Sequence, residues 1–449
     1  MPVTPPDHRL EPMSVTVEPS ASPPRELRPP LDHDGVLLEA DRCLLCSGPY
    51  AVAPCSLACP AQVDVPAFID ALACDDVLAA AQTIFAENIL GGTCARVCPV
   101  EVLCEGACVL AHEGQKPIQI AALQRYATDW ALVREVPLRE AATPTGHAVA
   151  VVGAGPAGLA CAGELAARGH AVTVFEAREE IGGLARFAIA PYRIERAPLP
   201  AEQRALEILG VRFRLAAPIW CVDELADYDA VFLGVGLGDD VPLELPGDEL
   251  TGVWESLPFI EALKDGRLRD VGDRVVVIGG GNTAIDVARE SLRLGAMHVT
   301  VVYRRTRAEM PAYAFEVDEA EDEGVTFAWR TLPVRLLGAG RLMSVECVSV
   351  RQGPPDADGR CHPLPVAGSE FDLRADTVVK AIGQRARPEL SGRFGGLELE
   401  HGNVVVDDEG RTASRRVFAG GDAVNGGASV VEAVRQGKRA ALAIDRSLA

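Results

Sequence analysis

Short apolar runs alternate with glycine loops through the second two-thirds of the chain. Ala148–Val152, Ala171–Phe175, Val275–Ile278, Val299–Tyr303 and Val417–Ala419 are each too short for a buried helix and are rich in Val. Such runs predict strands covered on both faces, as in a parallel sheet. Leu159–Arg168 has helical periodicity between the first two runs, and Ala428–Val434 reads as a helix start. Strand, loop, helix and strand in that order predict an α/β fold with two Rossmann-like dinucleotide-binding units. Upstream, Phe68–Cys74 repeats its apolar positions at helical spacing. No apolar run approaches the ~18 residues a membrane helix requires.

Composition narrows the function classes. At 449 residues the chain has room for about three domains. A net charge of -21 disfavours nucleic acid and anionic membranes, whose affinity comes from Lys and Arg. Met1–Leu31 is rich in proline and lacks a basic stretch followed by an apolar one, which predicts a disordered tail and not a secretion signal. The expected setting is therefore cytoplasmic and reducing, where clustered cysteines are better read as metal ligands than as disulfides.

Nine of the thirteen cysteines fall between Cys43 and Cys108. The first half reads Cys43-x2-Cys46-x8-Cys55-x3-Cys59-Pro60; the second reads Cys94-x3-Cys98-Pro99, then Cys104-x3-Cys108. This spacing follows ferredoxins, in which the cysteine before proline crosses to the second cluster. By that grammar Cys43, Cys46 and Cys55 serve one cluster and Cys59 serves another. Structural zinc is the alternative, but two Cys-Pro pairs with x3 spacings match zinc fingers and ribbons poorly. Cys74, Cys161, Cys221, Cys347 and Cys361 are expected to be small buried hydrophobes. The nucleotide-binding region has no Cys-x2-Cys pair, so no dithiol relay is expected there.

Two glycine loops carry the nucleotide signal. In Gly153-x-Gly155-x-x-Gly158 the glycines permit a tight turn and close approach of a pyrophosphate to a helix N-terminus, and Glu176 at the end of the next strand is placed for a ribose hydroxyl. The second loop, Gly279-Gly280-Gly281-Asn282-Thr283-Ala284, is followed by a strand that ends in Arg304-Arg305. Arginine there can pair with a 2'-phosphate, which favours NADPH over NADH; solvated surface charge is the alternative. Gly183, Gly421, Asp422 and Ser429 complete the candidate flavin contacts, with Asp422 placed for a ribityl hydroxyl or as a helix N-cap.

These blocks resemble the flavoprotein family that includes the small subunit of glutamate synthase and the electron-input portion of dihydropyrimidine dehydrogenase. The resemblance runs from about Glu39 to Lys438 and rests on Glu39-Ala40-x-Arg42-Cys43-Leu44-x-Cys46, Cys59-Pro60, Gly92-x-Cys94-Ala95-Arg96-Val97-Cys98-Pro99, Leu103-Cys104-Glu105-Gly106-x-Cys108 and both glycine loops. It implies FAD, NADPH or NADH, and two 4Fe-4S clusters. It further implies that Cys43, Cys46, Cys55 and Cys108 hold one cluster, and that Cys59, Cys98, Cys104 and Gln124 hold the other, leaving Cys94 unligated. Glutamine at position 124 tilts the resemblance towards the dihydropyrimidine dehydrogenase type. Ala188–Ile194 matches only loosely the stretch that the family places near its flavin.

The implied architecture is a disordered tail (1–35), an α-helical domain with two 4Fe-4S clusters (36–142), a discontinuous FAD-binding domain (143–250 and 372–449) and an inserted NAD(P)H-binding domain (251–371). The expected function is electron input: hydride from NAD(P)H, then single electrons out through the clusters. No acceptor site is visible, so a partner subunit is expected in a hetero-oligomer, and the resemblance implies that it contains FMN. The alternatives are a glutamate synthase small subunit, an electron-bifurcating transhydrogenase subunit and, in another class, a cofactor-free scaffold.

Overall fold

The computed structural model describes residues 26–46, 52–355 and 361–449. Positions 1–25 of the expected tail and most of the loop between Cys46 and Cys55 lie outside them. The helical unit comprises α1 (His33–Asp41), α2 (Pro54–Leu57), α3 (Val65–Ala73), α4 (Val77–Glu87), α5 (Gly91–Val97), α6 (Val109–His112) and α7 (Ile120–Val133). Asp32, Asp64 and Asp76 each accept a backbone N–H in the first turn of α1, α3 and α4, so aspartate N-caps set three of the helix starts. On α4 the buried positions Val77, Ala80, Ala81, Ile84 and Phe85 form one helical stripe.

Three expectations fail here. Residues 26–35 are not a loose tail: Leu27 donates its N–H to the Tyr192 carbonyl at 2.8 Å, Arg28 Nη1 donates to the Cys98 carbonyl at 2.8 Å, and α1 already begins at His33. Cys74 is exposed, because α3 ends at Ala73 and leaves Cys74 on the C-cap, beyond the buried stripe of Phe68, Ile69 and Leu72. Cys161 and Cys347 are buried as expected, whereas Cys221 is only half-buried, in the loop before a short 3-10 turn. The Cys361 side chain lies outside the described positions.

Next comes the first α/β unit: β1 (Ala148–Val152), α8 (Pro156–Ala167), β2 (Ala171–Phe175), α9 (Leu184–Phe187), α10 (Leu199–Ile208), β3 (Arg212–Arg214) and β4 (Ala230–Leu233). The second unit contains β5 (Val253–Glu255), α11 (Ser256–Lys264), β6 (Arg274–Ile278), α12 (Asn282–Arg293), β7 (His298–Tyr303), α13 (Ala314–Asp322) and β8 (Thr326–Trp329). An antiparallel layer follows, β9 (Thr331–Gly338), β10 (Leu342–Pro355), β11 (Cys361–Pro365) and β12 (Phe371–Arg374), and then β13 (Thr377–Lys380). The chain returns through α14 (Leu390–Arg393), β14 (Leu399–Glu400), β15 (Asn403–Val404), β16 (Val417–Ala419), α15 (Asp422–Asn425) and α16 (Val430–Leu448).

Both main sheets are parallel and five-stranded, in the orders β16-β4-β1-β2-β3 and β5-β13-β6-β7-β8. The break placed at 372 falls too early. Thr377–Lys380 pairs in register with Val275–Ile278, so the return to the first sheet comes after Lys380. Outbound and returning linkers run side by side, with Gly238 N–H on the Arg385 carbonyl and Val241 N–H on the Gly383 carbonyl, both at 2.8 Å. Among the described residues no helix is long and apolar enough to cross a membrane.

One apolar core spans the helical unit and the first α/β unit. It runs from Phe68, Ile84 and Leu123 through Ile89 and Leu206 to Val149, Leu159 and Val434. The second α/β unit has its own core around Val277, Ile285, Val301 and Val379, and a buried polar network joins it to the first. Tyr192 Oη and Arg193 Nε both donate to Asp286 Oδ1 at 2.6 Å, and Arg193 pairs with Glu316 at 2.9 Å. Burial pushes the Glu316 carboxyl up to about 7, against the pull of Arg193. Replacing Arg193 by Ala takes the cation from Glu316 and leaves Asp286 with the Tyr192 hydroxyl in place of an ion pair, and should lower stability by about 3–5 kcal/mol in urea unfolding.

Candidate functional site

The first glycine loop joins β1 to α8. Gly153 has φ +101°, and a Cβ there would stand 2.4 Å from the Gly234 carbonyl oxygen, so the turn demands glycine. At Gly155 the nearest atoms to an added Cβ are 3.9 Å away, which leaves an open cradle at the helix start. Gly158 is needed for packing, since its Cβ would strike the Gly153 carbonyl at 1.9 Å. Glu176 ends β2 beside this loop, and its carboxylate accepts the N–H groups of Ala154 at 2.8 Å and Arg178 at 2.9 Å. Gly183 lies against Gly155, whose Cα would be 3.0 Å from a Gly183 Cβ.

The C-terminal elements close on the same loop. A Cβ on Gly421 would come within 2.9 Å of the Ala157 Cβ, and Gly421 N–H donates to Gln436 Oε1 at 2.7 Å. Gly421, not Asp422, is the N-cap of α15. Asp422 Oδ1 accepts the Ala428 N–H at 3.2 Å, and burial pushes its carboxyl above the ordinary range. Ser429 caps α16, accepting the Glu432 N–H. Gly155, Gly183, Gly421 and Asp422 are thus brought together around one concave edge, which fits a dinucleotide such as FAD.

The second loop, between β6 and α12, repeats the design. Nothing lies within 4 Å of a Cβ added to Gly281, whereas one on Gly279 would meet the Ala381 carbonyl at 2.1 Å. Asn282 Oδ1 accepts the Tyr313 N–H at 3.0 Å, and Thr283 follows in the first turn of α12. The two arginines after β7 differ: Arg304 is exposed, but Arg305 is half-buried and its Nε is buried without a hydrogen-bond partner. An orphaned cationic N–H just past the end of β7 fits the 2'-phosphate of NADPH.

The cysteines gather into two groups. Cys43, Cys46, Cys55 and Cys108 line one pocket with Leu44, Pro54, Ile69 and Ile120, and Cys46 is exposed there. Burial pushes the Cys55 thiol up to about 11, with Cys43 and Cys108 adding to the effect. Cys98 sits with Cys94, Cys104 and Cys59; a hydrogen bond with Cys94 and then burial hold its thiol well above the ordinary range. Burial also raises Cys59, beside Cys94. Neutral thiols packed this closely suit a metal centre that displaces their protons on binding.

Among the described residues no three His, Cys, Asp or Glu side chains converge tightly enough for a single ion. Four thiolates on one zinc would stand about 3.8 Å apart, a restriction that does not apply when each binds its own iron of a 4Fe-4S cluster. Gln124 Nε2 donates to the Gly91 carbonyl at 2.7 Å, a bond that does not use its amide oxygen. The structure thus puts Cys94 among the second group and Gln124 beside the helix that carries it.

Several residues of this region carry no local sequence signal. Tyr313, bonded to Asn282, lies near Cys98: burial, then the charges of Glu316 and Cys98, raise its hydroxyl above the ordinary value. Lys264 Nζ donates to the carbonyls of Ala185, Ile189 and Ile194, each at 2.9 Å, and burial lowers it to about 7. Glu202 is fully buried on α10 and bonds Thr93, with its carboxyl pushed up to about 7 by burial. Tyr192 and Arg193 serve the network with α12 described above. Only contacts far apart in sequence reveal these roles.

Residues 147–437 match the family model for pyridine nucleotide-disulphide oxidoreductase, and residues 22–136 match that for dihydropyrimidine dehydrogenase domain II, 4Fe-4S cluster. The glutamate synthase (NADPH) small chain of Escherichia coli (strain K12) is 36% identical over 439 residues, covering 93% of this chain and 92% of that one. The NADP(+)-dependent formate dehydrogenase subunit beta of Moorella thermoacetica is 39% identical over 435 residues, covering 89% of this chain and 60% of that one. Among solved structures, Mycobacterium tuberculosis FprA in complex with NADPH shares the fold, with TM-score 0.56 and 22% identity over 68% of this chain and 85% of that chain.

Two measurements check the site. Arg305→Ala should raise KM for NADPH on the order of tenfold more than KM for NADH, with a smaller effect from the exposed Arg304→Ala. If Gln124 is the eighth ligand, Cys94→Ala should keep iron content and the EPR signals of both clusters, while Gln124→Ala should lose one signal.

Proposed function

The chain belongs to the pyridine nucleotide-disulphide oxidoreductase family, and from that premise we propose that it is the electron-input subunit of a larger assembly, delivering electrons from NAD(P)H to a partner polypeptide. It is an NAD(P)H-dependent oxidoreductase whose cofactors are FAD, NAD(P)H and 4Fe-4S clusters. Together those groups convert a two-electron hydride donor into one-electron traffic. In this reading Gly155, Gly183, Glu176 and Asp422 hold the flavin nucleotide, while Gly281, Asn282, Thr283 and Arg305 hold the pyridine nucleotide. The cysteine groups hold two clusters.

The observation that carries the reading is spatial order. Asn282 in the second glycine loop bonds Tyr313, Tyr313 neighbours Cys98, and Cys104 of that inner group lies near Cys55 of the outer one. The outer group ends at the exposed Cys46. A chain of neighbouring residues thus leads from a nucleotide loop past the inner thiols to an exposed thiol of the outer group. The chain's own groups bind, orient and exclude water; direct hydride transfer needs alignment more than a proton donor, so we assign no general base.

The finer reading is a partner of the dihydropyrimidine dehydrogenase type, with an FMN-bearing site that reduces uracil or thymine; Gln124 favours it. The near full-length match to glutamate synthase small chains favours a second reading, in which the partner makes glutamate. That relatives are named small or beta subunits supports a hetero-oligomer, and thirteen cysteines suit a cytoplasmic, reducing setting.

Copurification of the native complex with assays of pyrimidine reduction and glutamate synthesis separates the two readings. A folded but colourless, iron-free protein would overturn both. Cys98→Ser should remove one cluster and stop electron delivery to the partner while flavin reduction by NAD(P)H continues, as followed by stopped-flow absorbance.

A further inference from the structure

Helix α5 carries Cys94 and ends at Cys98, yet its first turn has no side-chain cap of its own. Its leading N–H groups therefore need partners from elsewhere. Gly91 N–H donates to the Asn88 carbonyl, and Glu202 on α10, 109 positions from Thr93, holds the next part of the turn: Oε1 accepts the Thr93 N–H at 2.9 Å and Oε2 accepts the Thr93 hydroxyl at 2.6 Å. The fit leaves no slack, since a Cβ on Gly92 would come within 3.2 Å of Glu202 Oε1 and 3.0 Å of Pro198 Cγ.

One turn earlier on the same face of α10 stands Leu199. Its Cδ1 would be 2.7 Å from a Cβ on Gly182, the neighbour of Gly183 in the first unit's nucleotide site. A single turn of α10 thus touches the flavin-type loop with Leu199 and the cysteine-bearing helix with Glu202. Glu202 has 0% exposure, and a buried carboxyl costs free energy that an apolar side chain would not. What the acid adds at this position is a directional, two-point hold on α5.

We propose that Glu202 is a positioning residue for electron transfer, setting the spacing between the flavin site and the inner cysteine group by capping α5 across the unit boundary. The inference rests on the electron-input reading above. It concerns distance and orientation, not chemistry at the carboxyl.

The test uses the anaerobically purified holoprotein with Glu202→Ala, Glu202→Gln and Thr93→Val. Stopped-flow absorbance separates flavin reduction by NADPH from the cluster reduction that follows. Glu202→Ala should leave the first unchanged and slow the second on the order of tenfold, short of the roughly hundredfold that a full 1 Å misplacement of reacting groups can cost. It should also alter the EPR line shape of one cluster and speed amide hydrogen exchange in 91–97. Glu202→Gln keeps an oxygen for the Thr93 N–H and should restore most of the rate.

Thr93→Val removes one of the two bonds without emptying the site, and should give an intermediate rate even where the alanine variant does not fold. Unchanged cluster reduction in both Glu202→Ala and Thr93→Val, or in Thr93→Val alone where the alanine variant does not fold, would overturn the proposal, as would equal slowing of flavin reduction. An unaltered protein without flavin or cluster signals removes the function itself, a failure distinct from that of the positioning role.

Discussion

The constraint on which the molecule depends is a core shared by two units. Ile89 of the helical unit and Leu206 of the first α/β unit close over Gly163, where a Cβ would meet them at 3.3 and 3.0 Å. The helices that present cysteines and the sheet that presents the first glycine loop therefore fold onto one apolar interior. Packing at crystal-like density resists sliding, so their spacing is fixed by many contacts and not by a linker. Edge bonds reinforce it: Lys438 on α16 pairs with Glu87 at the end of α4, and Arg28 bonds the Cys98 carbonyl.

The second α/β unit is held differently. Its own core is separate, and its link to the rest is polar and buried, centred on Asp286 with Tyr192 and Arg193. Burying such groups is favourable only while every partner is present. Apolar contact thus governs where electrons must cross between redox groups, and a buried polar network governs where the nucleotide unit meets them.

Much of this was legible in the sequence because it was local. β1 and β2 begin and end where the Val-rich runs do, and both glycine loops lie between a strand and a helix as their spacing required. The cysteines that the spacing singled out do gather in two groups, although the position of Cys94 in the second depends on how α5 packs. The readings that failed depend on partners distant in sequence. Thr377–Lys380 looks the same whichever sheet it joins, and only pairing with β6 decides. The order of residues 26–35 follows from Tyr192, Cys98 and Arg125, none of which lies nearby in the chain. Glu202 resembles any helix glutamate until Thr93 stands opposite it.

The inserted unit is tied to the rest by the paired linkers around Gly238 and Arg385 and by the buried bonds of Tyr192 and Arg193 to Asp286. Taking a partner from a buried donor or acceptor costs the full desolvation of the group left behind. The orientation of the nucleotide unit therefore hangs on a few named side chains, where that of the helical unit is spread over a whole apolar seam.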